Sequence, residues 1–271
     1  MTQDQFVPPD QAPAADLPVH ARERLAQMRQ HRFFTSDLSV NEFLLVKEVV
    51  FHPVGLVMGS SIYHIGSVFS HWSRNMEIQN LTQALYHSRE LAMVRMEEEA
   101  DALGADGIVA VRLTLTVHTW GSNVIEFVAI GTAVKSESSD ISYRTAEGRP
   151  FTSDLSGQDF WTLLNAGYRP LGFVMGNCVY AVATAAAAST RNAELEAPTQ
   201  ALYDARELAM ERMQVEAEAL KADGIVGVLV DENNHTWGPN VLEFSAVGTA
   251  VVAIREDHHI ARPSLMLTVG D

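Results

Sequence analysis

Four side chains have the types and spacing to act together as ligands. His118 and His235 each open the tetrapeptide HTWG, and Glu126 and Glu243 each follow in an apolar run eight residues on. Imidazole and carboxylate are two of the three or four donors that a divalent or heavy-metal ion needs, so these four are the candidate metal ligands. Both residue types also have plainer roles. A histidine in a turn beside tryptophan is commonly a solvated or stacked loop residue, and Glu126, on the strand face of Val124 and Val128, would be costly there without a partner. A salt bridge or a subunit contact would supply one, with Arg89 and Arg206 as candidate cations.

The remaining chemistry is thin. Cys178 is the only cysteine, which excludes an internal disulfide or a paired-thiolate zinc knuckle within one chain and suits a reducing compartment. His64 and His71 have no counterpart in the repeat described below, and His258 and His259 lie in a tail expected to be mobile. The recurring methionines, Met58 with Met175, Met93 with Met210 and Met96 with Met213, read as core filling. Asp106 and Asp223 read as turn residues. There is no G-x-S-x-G, no glycine-rich phosphate loop and no nucleophile with a base, so no catalytic constellation is found and the chain reads as non-enzymatic.

What must position these residues is a duplication. FTSDLS begins at Phe34 and again at Phe151, and the same 117-residue offset aligns VMG, TQALY, RELAM, ADGIV, HTWG and GTAV without a gap. Roughly half the positions from Phe34 to Val134 recur, which marks two tandem copies of one small domain, too few for a solenoid. The division expected is residues 1–32 as a disordered arm and short helix, 33–137 and 150–255 as the two units, and 256–271 as a tail.

Each unit reads as helix, strand, helix, strand, strand. Ser39 with Glu42 forms a capping box ahead of a short helix, and Ser156 with Asp159 repeats it with a shorter acid. GLVMGSSIYHI and GFVMGNCVYAV are apolar runs suited to buried strands. Leu85, Ala92, Met96 and Leu103 form one stripe of a long amphipathic helix, with Thr82 and Thr199 as expected N-caps. Gly104 is expected to end the first of these helices, with no equivalent stop at Lys221. Alternation from Val109 to Val117 then predicts a hairpin through HTWGSN. The result is a β-α-β-β core in an α+β layer arrangement, whose exposed sheet edges make assembly the natural completion.

Nineteen basic against thirty-four acidic residues leave a net charge of −15, which disfavours nucleic acid and anionic membrane surfaces as partners. The opening MTQDQFVPPDQAPAADLP has neither a basic n-region nor an apolar core, so a cytoplasmic location is expected. The uncharged stretch from Leu171 to Thr190 is long enough to span a bilayer, but its first copy carries two histidines and several serines, which rules against a membrane span. His20–Arg32 is helix-compatible and locally basic, suited to docking on the acidic body or to recruiting a protein partner.

GLVMGSSIY, LYHSRELAMVRMEEEADALGADGIVAV and FVAIGTAV resemble the YbjQ-like domain, a family named for heavy-metal binding, and GFVMGNCVY, ARELAMERMQVEAEALKADGIVGV and FSAVGTAV resemble it again. The resemblance covers about three quarters of the chain and implies dodecin-like units whose single-domain members form pentameric rings. It brings no established reaction. The function expected is therefore a non-enzymatic, ring-forming homo-oligomer that binds a heavy-metal ion or small ligand at repeated loop or interface sites. The alternative is a scaffold that recruits a partner and binds no metal.

Overall fold

The computed structural model describes residues 17–31, 33–66, 74–118, 124–138, 141–183, 194–234, 237 and 240–258. Expectations for the N-terminal arm, His71, His235, His259, most of both hairpin loops and the alanine-rich stretch fall outside these residues. Helix α1 (Val19–His31) leads the first unit, which continues as α2 (Val40–Glu48), β1 (Phe51–His64), β2 (Met76–Glu77), α3 (Gln79–Leu103), β3 (Gly107–His118) and β4 (Val124–Ser136). The second unit is β5 (Phe151–Thr152), α4 (Gly157–Asn165), β6 (Tyr168–Ala181), α5 (Glu196–Ala219), β7 (Gly224–Asn234) and β8 (Val241–Ala253). Among the described residues no helix is long and apolar enough to cross a membrane.

The lead helices start where capping chemistry places them. Ser39 Oγ accepts the Glu42 N–H at 3.3 Å while Glu42 Oε2 accepts the Ser39 N–H at 2.8 Å, satisfying two orphan donors. The shorter Asp159 cannot reach back to the backbone, so its carboxylate takes the Ser156 hydroxyl at 2.7 Å instead. The long helices begin earlier than Thr82 and Thr199, which lie inside α3 and α5 after caps at Ile78 and Leu195. Thr82 is withheld from capping because Oγ1 accepts the Val179 N–H of the second unit at 3.1 Å. The ends of the two helices also agree more closely than their residues suggest: Gly104 (φ 73°) and Lys221 (φ 58°) are both left-handed. Lysine there bears a steric cost that glycine avoids.

Each long helix lies on a sheet, with Leu85, Ala92 and Met96 against Val57, Ile125 and Ala129 in the first unit. Met213 and Ala217 meet Val174, Ala246 and Ala250 in the second. Gly59 and Gly176 allow the close approach: a Cβ there would come within 2.0 Å of the Ala92 carbonyl and 1.7 Å of the Ala209 carbonyl. Alternation along β3 is broken by a bulge at Ala110 (φ 54°), matched in β7 at Gly227 (φ 68°). Asp106 and Asp223 staple strand ends, accepting the Ser136 N–H at 2.9 Å and the Ala253 N–H at 2.8 Å.

The two units exchange strands. The first sheet runs β1-β4-β3-β5 and the second β2-β6-β8-β7, so each is extended by a two-residue strand contributed by the other unit. Helix α1 docks on the first unit, with Leu25 fully buried and Arg24 bidentate to Glu99 at 2.7 Å.

Candidate functional site

The β3–β4 register puts His118 and Glu126 on one sheet face, and His118 Nε2 lies 2.9 Å from Glu126 Oε2. The same register sets His64, Val124 and His118 in one row across three strands, which separates the two histidine backbones by about two strand spacings, roughly 10 Å. In the second unit Glu243 is 4% exposed and accepts the Trp237 indole N–H at 2.6 Å. Burial pushes the Glu243 carboxyl up, the indole bond opposes this, and nearby Asp231 adds to the rise. The equivalent carboxylates thus have different partners, and neither is Arg89 or Arg206. Among the described residues no group of three His, Cys, Asp or Glu stands close enough to hold a metal ion. The first hairpin offers His118 and Glu126 together, and the described part of the second offers Glu243 with Asp231 nearby.

Glu243 lines a cleft of about 680 Å³ between the units, walled by Leu113, Leu115 and Phe127 on one side and by Asp231, Ser245 and Val247 on the other. Its walls mix apolar side chains with Arg112, Asp154, Asp231 and Glu243, so both charge signs face the cleft.

Polar chemistry is denser at the seam between the units. Tyr86, 1% exposed, donates its hydroxyl to the Met175 carbonyl at 3.4 Å and accepts the Asn177 N–H at 3.1 Å. Arg89 lies over the Tyr86 ring, bonds Glu90, and reaches Glu216 Oε1 at 2.7 Å. Burial works against the Arg89 charge, but Glu216 and Glu90 outweigh it and keep the guanidinium firmly protonated. Glu216 Oε2 also accepts the Met175 N–H at 2.9 Å, while Arg212 pairs with Glu77 at 2.8 Å, giving a second ion pair of reversed polarity. Losing one partner of such a buried pair would leave an uncompensated charge at the seam.

An apolar and main-chain limb completes the seam. Ser153 N donates to Ile108 O, Val111 N to Ser153 O, and Ala110 N to Leu155 O, at 2.9 to 3.0 Å. Phe151 is fully buried among Phe51, Phe160 and Tyr143, its ring lying where a Cβ on Gly107 would be. Arg89, a candidate cation for the strand carboxylates, instead pairs with Glu216, 127 residues away on the other unit.

A relative from Mycobacterium tuberculosis, named an encapsulin nanocompartment protein, is 48% identical over 243 residues, spanning 88% of this chain and 92% of its own. UPF0145 proteins from Halorubrum lacusprofundi and Helicobacter hepaticus match single stretches at 36% and 37% identity, covering 36% and 31% of this chain and 97% and 85% of theirs. The YbjQ family model, described as "Putative heavy-metal-binding", matches twice, at residues 48–137 and 167–254. With both copies carrying the family's strand-helix-hairpin core, the chain belongs to the YbjQ family as a tandem member.

Proposed function

We infer that this chain is a non-enzymatic protein that self-associates unit to unit, closing into a ring, and serves as a structural component of a protein nanocompartment. The observation that carries this is an asymmetry of exposure between equivalent positions. Tyr86 is 1% exposed where Tyr203 is 49%, and Val179 is 0% exposed where Ile62 is 59%. Leu229 and Val230 of β7 stand 66% and 50% exposed on an open edge, and Met58 is 50% exposed although its counterpart Met175 is 4%. Open apolar edges of this size in a folded chain mark interaction surfaces. The nanocompartment assignment draws on the name of the M. tuberculosis relative, which is similar over nearly the whole chain. The buried, unpaired Cys178 suits a cytoplasmic setting.

The test is native mass spectrometry of untagged protein, expected to show one closed multiple of the chain. A monomer at tens of micromolar would overturn the reading.

A second reading keeps the metal. His118 and Glu126 already converge at 2.9 Å, and an assembly that brought hairpins together would supply further donors beside the described ones. His235 and Glu243 would be the second set, with Glu243 first giving up its indole bond. Elemental analysis of the same sample decides it: stoichiometric metal lost on His118→Ala with His235→Ala supports the site, and a metal-free assembly removes it.

A further inference from the structure

Given the self-association inferred above, on which this rests, we propose that copies add head to tail by repeating the seam already present inside each chain. Unit 2 of one copy meets unit 1 of the next as unit 1 meets unit 2 within a chain, and Arg24 of helix α1 holds the receiving carboxylate until the incoming arginine displaces it.

The strand limb is set in advance. Residues 34–38 correspond to 151–155 and already make the same bonds within their own unit. Thr35 Oγ1 accepts the Leu56 N–H at 3.1 Å, as Thr152 Oγ1 accepts that of Phe173 at 2.9 Å. Ser36 meets Thr132 at 3.2 Å as Ser153 meets Thr249 at 2.9 Å. The segment is therefore ordered but outward, with Phe34 44% exposed against 0% for Phe151. The edge it would join, β7, is the counterpart of the β3 edge that receives residues 151–155. Gly107 is filled over by the Phe151 ring, while a Cβ at Gly224 would meet nothing within 4 Å. That empty place fits Phe34 of the next copy.

The polar limb matches. Arg206 lies over the Tyr203 ring at 4.6 Å and bonds Glu207, the pose that Arg89 takes over Tyr86 with Glu90. Its target by the repeat is Glu99, the counterpart of Glu216, and Glu99 Oε2 accepts the Met58 N–H at 3.0 Å as Glu216 accepts that of Met175. In the free chain both Glu99 oxygens are bonded by Arg24 at 2.7 Å. A second bidentate guanidinium cannot share those lone pairs on the same terms, so the junction and α1 compete for one seat.

Dilution series by analytical ultracentrifugation test this with Arg206→Glu, Tyr203→Ala and Arg24→Ala, with circular dichroism checking that each chain folds. Arg206→Glu and Tyr203→Ala alter half-exposed side chains and are expected to weaken self-association at least tenfold without changing the fold. Arg24→Ala is expected to strengthen it severalfold. Parent protein that assembles while Arg206→Glu and Tyr203→Ala assemble equally well overturns the junction but leaves self-association standing. Assembly weakened by Arg24→Ala overturns the competition. Parent protein that never assembles overturns the reading beneath both.

Discussion

One substitution made at two equivalent glycines separates the fold of the chain from its association. Gly107→Ala places a Cβ 2.0 to 2.3 Å from three ring atoms of Phe151. The ring is fully buried and packed by Phe160 at 5.8 Å and Phe51 at 6.4 Å, so it cannot move aside freely. Overpacking of this kind costs about 1–3 kcal/mol. At the middle of that range a chain of this size loses about 4–8 °C in Tm. Gly224→Ala meets open space in the single chain, so its own stability should move by no more than about 0.5 kcal/mol. If the next copy's Phe34 occupies that space, the same 1–3 kcal/mol falls on each junction and weakens association by about 5- to 150-fold. Thermal denaturation at high dilution and sedimentation across a concentration series read the two effects separately. Equal destabilisation of both variants in the dilute chain, or unchanged association of Gly224→Ala, would refute the reasoning.

Four further outcomes are expected. Burial pushes the Glu97 carboxyl up to about 7 from its ordinary 4.5, against the pull of Arg149. The folded chain then binds that proton more tightly than the unfolded chain, so stability declines as pH rises from 4.5 to 7 and levels off above. Glu97→Gln should recover on the order of 2–3 kcal/mol at pH 8 and little at pH 4.5 in urea titrations at both pH values; an equal change at both would contradict the sign. Lys221→Gly should raise stability by about 0.5–1 kcal/mol through relief of the left-handed backbone, measured by the same titration, and Gly104→Lys should lower it by a similar amount. Tyr86→Phe should cost about 1–2 kcal/mol from two lost seam bonds, whereas Tyr203→Phe should leave the dilute chain unchanged. Burial pushes the Cys178 thiol up to about 12, so a thiol reagent at pH 8 should label it only after unfolding, and rapid labelling of native protein would show it accessible.

The duplication and the order of elements were legible because they are local or periodic. The 117-residue offset, the Ser39 and Ser156 caps and the helix stripe through Met96 each follow from a few neighbouring residues. What escaped depends on contacts across the seam. Thr82 has the side chain of an N-cap, but the other unit claims its hydroxyl through Val179. Phe151 and Thr152 are too short a run to read as a strand, and they become one because β3 offers an unpaired edge. Arg89 was singled out for recurring on the helix, but its partner Glu216 belongs to the other copy. Glu126 was rightly expected to need a partner. His118, the residue proposed to share a metal with it, is that partner in the structure.

Hydrogen exchange at rising protein concentration tests the head-to-tail junction most directly, because it needs no substitution. Within the chain, the amides of Ala110, Val111, Phe151 and Ser153 donate across the seam. Their counterparts are Gly227 and Val228 on β7 and Phe34 and Ser36 on the outward segment. These four amides should exchange quickly in the dilute chain and slow together as assemblies form, with α1 losing protection over the same range. Assemblies that form while residues 34–36 and 227–228 keep exchanging at the dilute rate would contradict the junction.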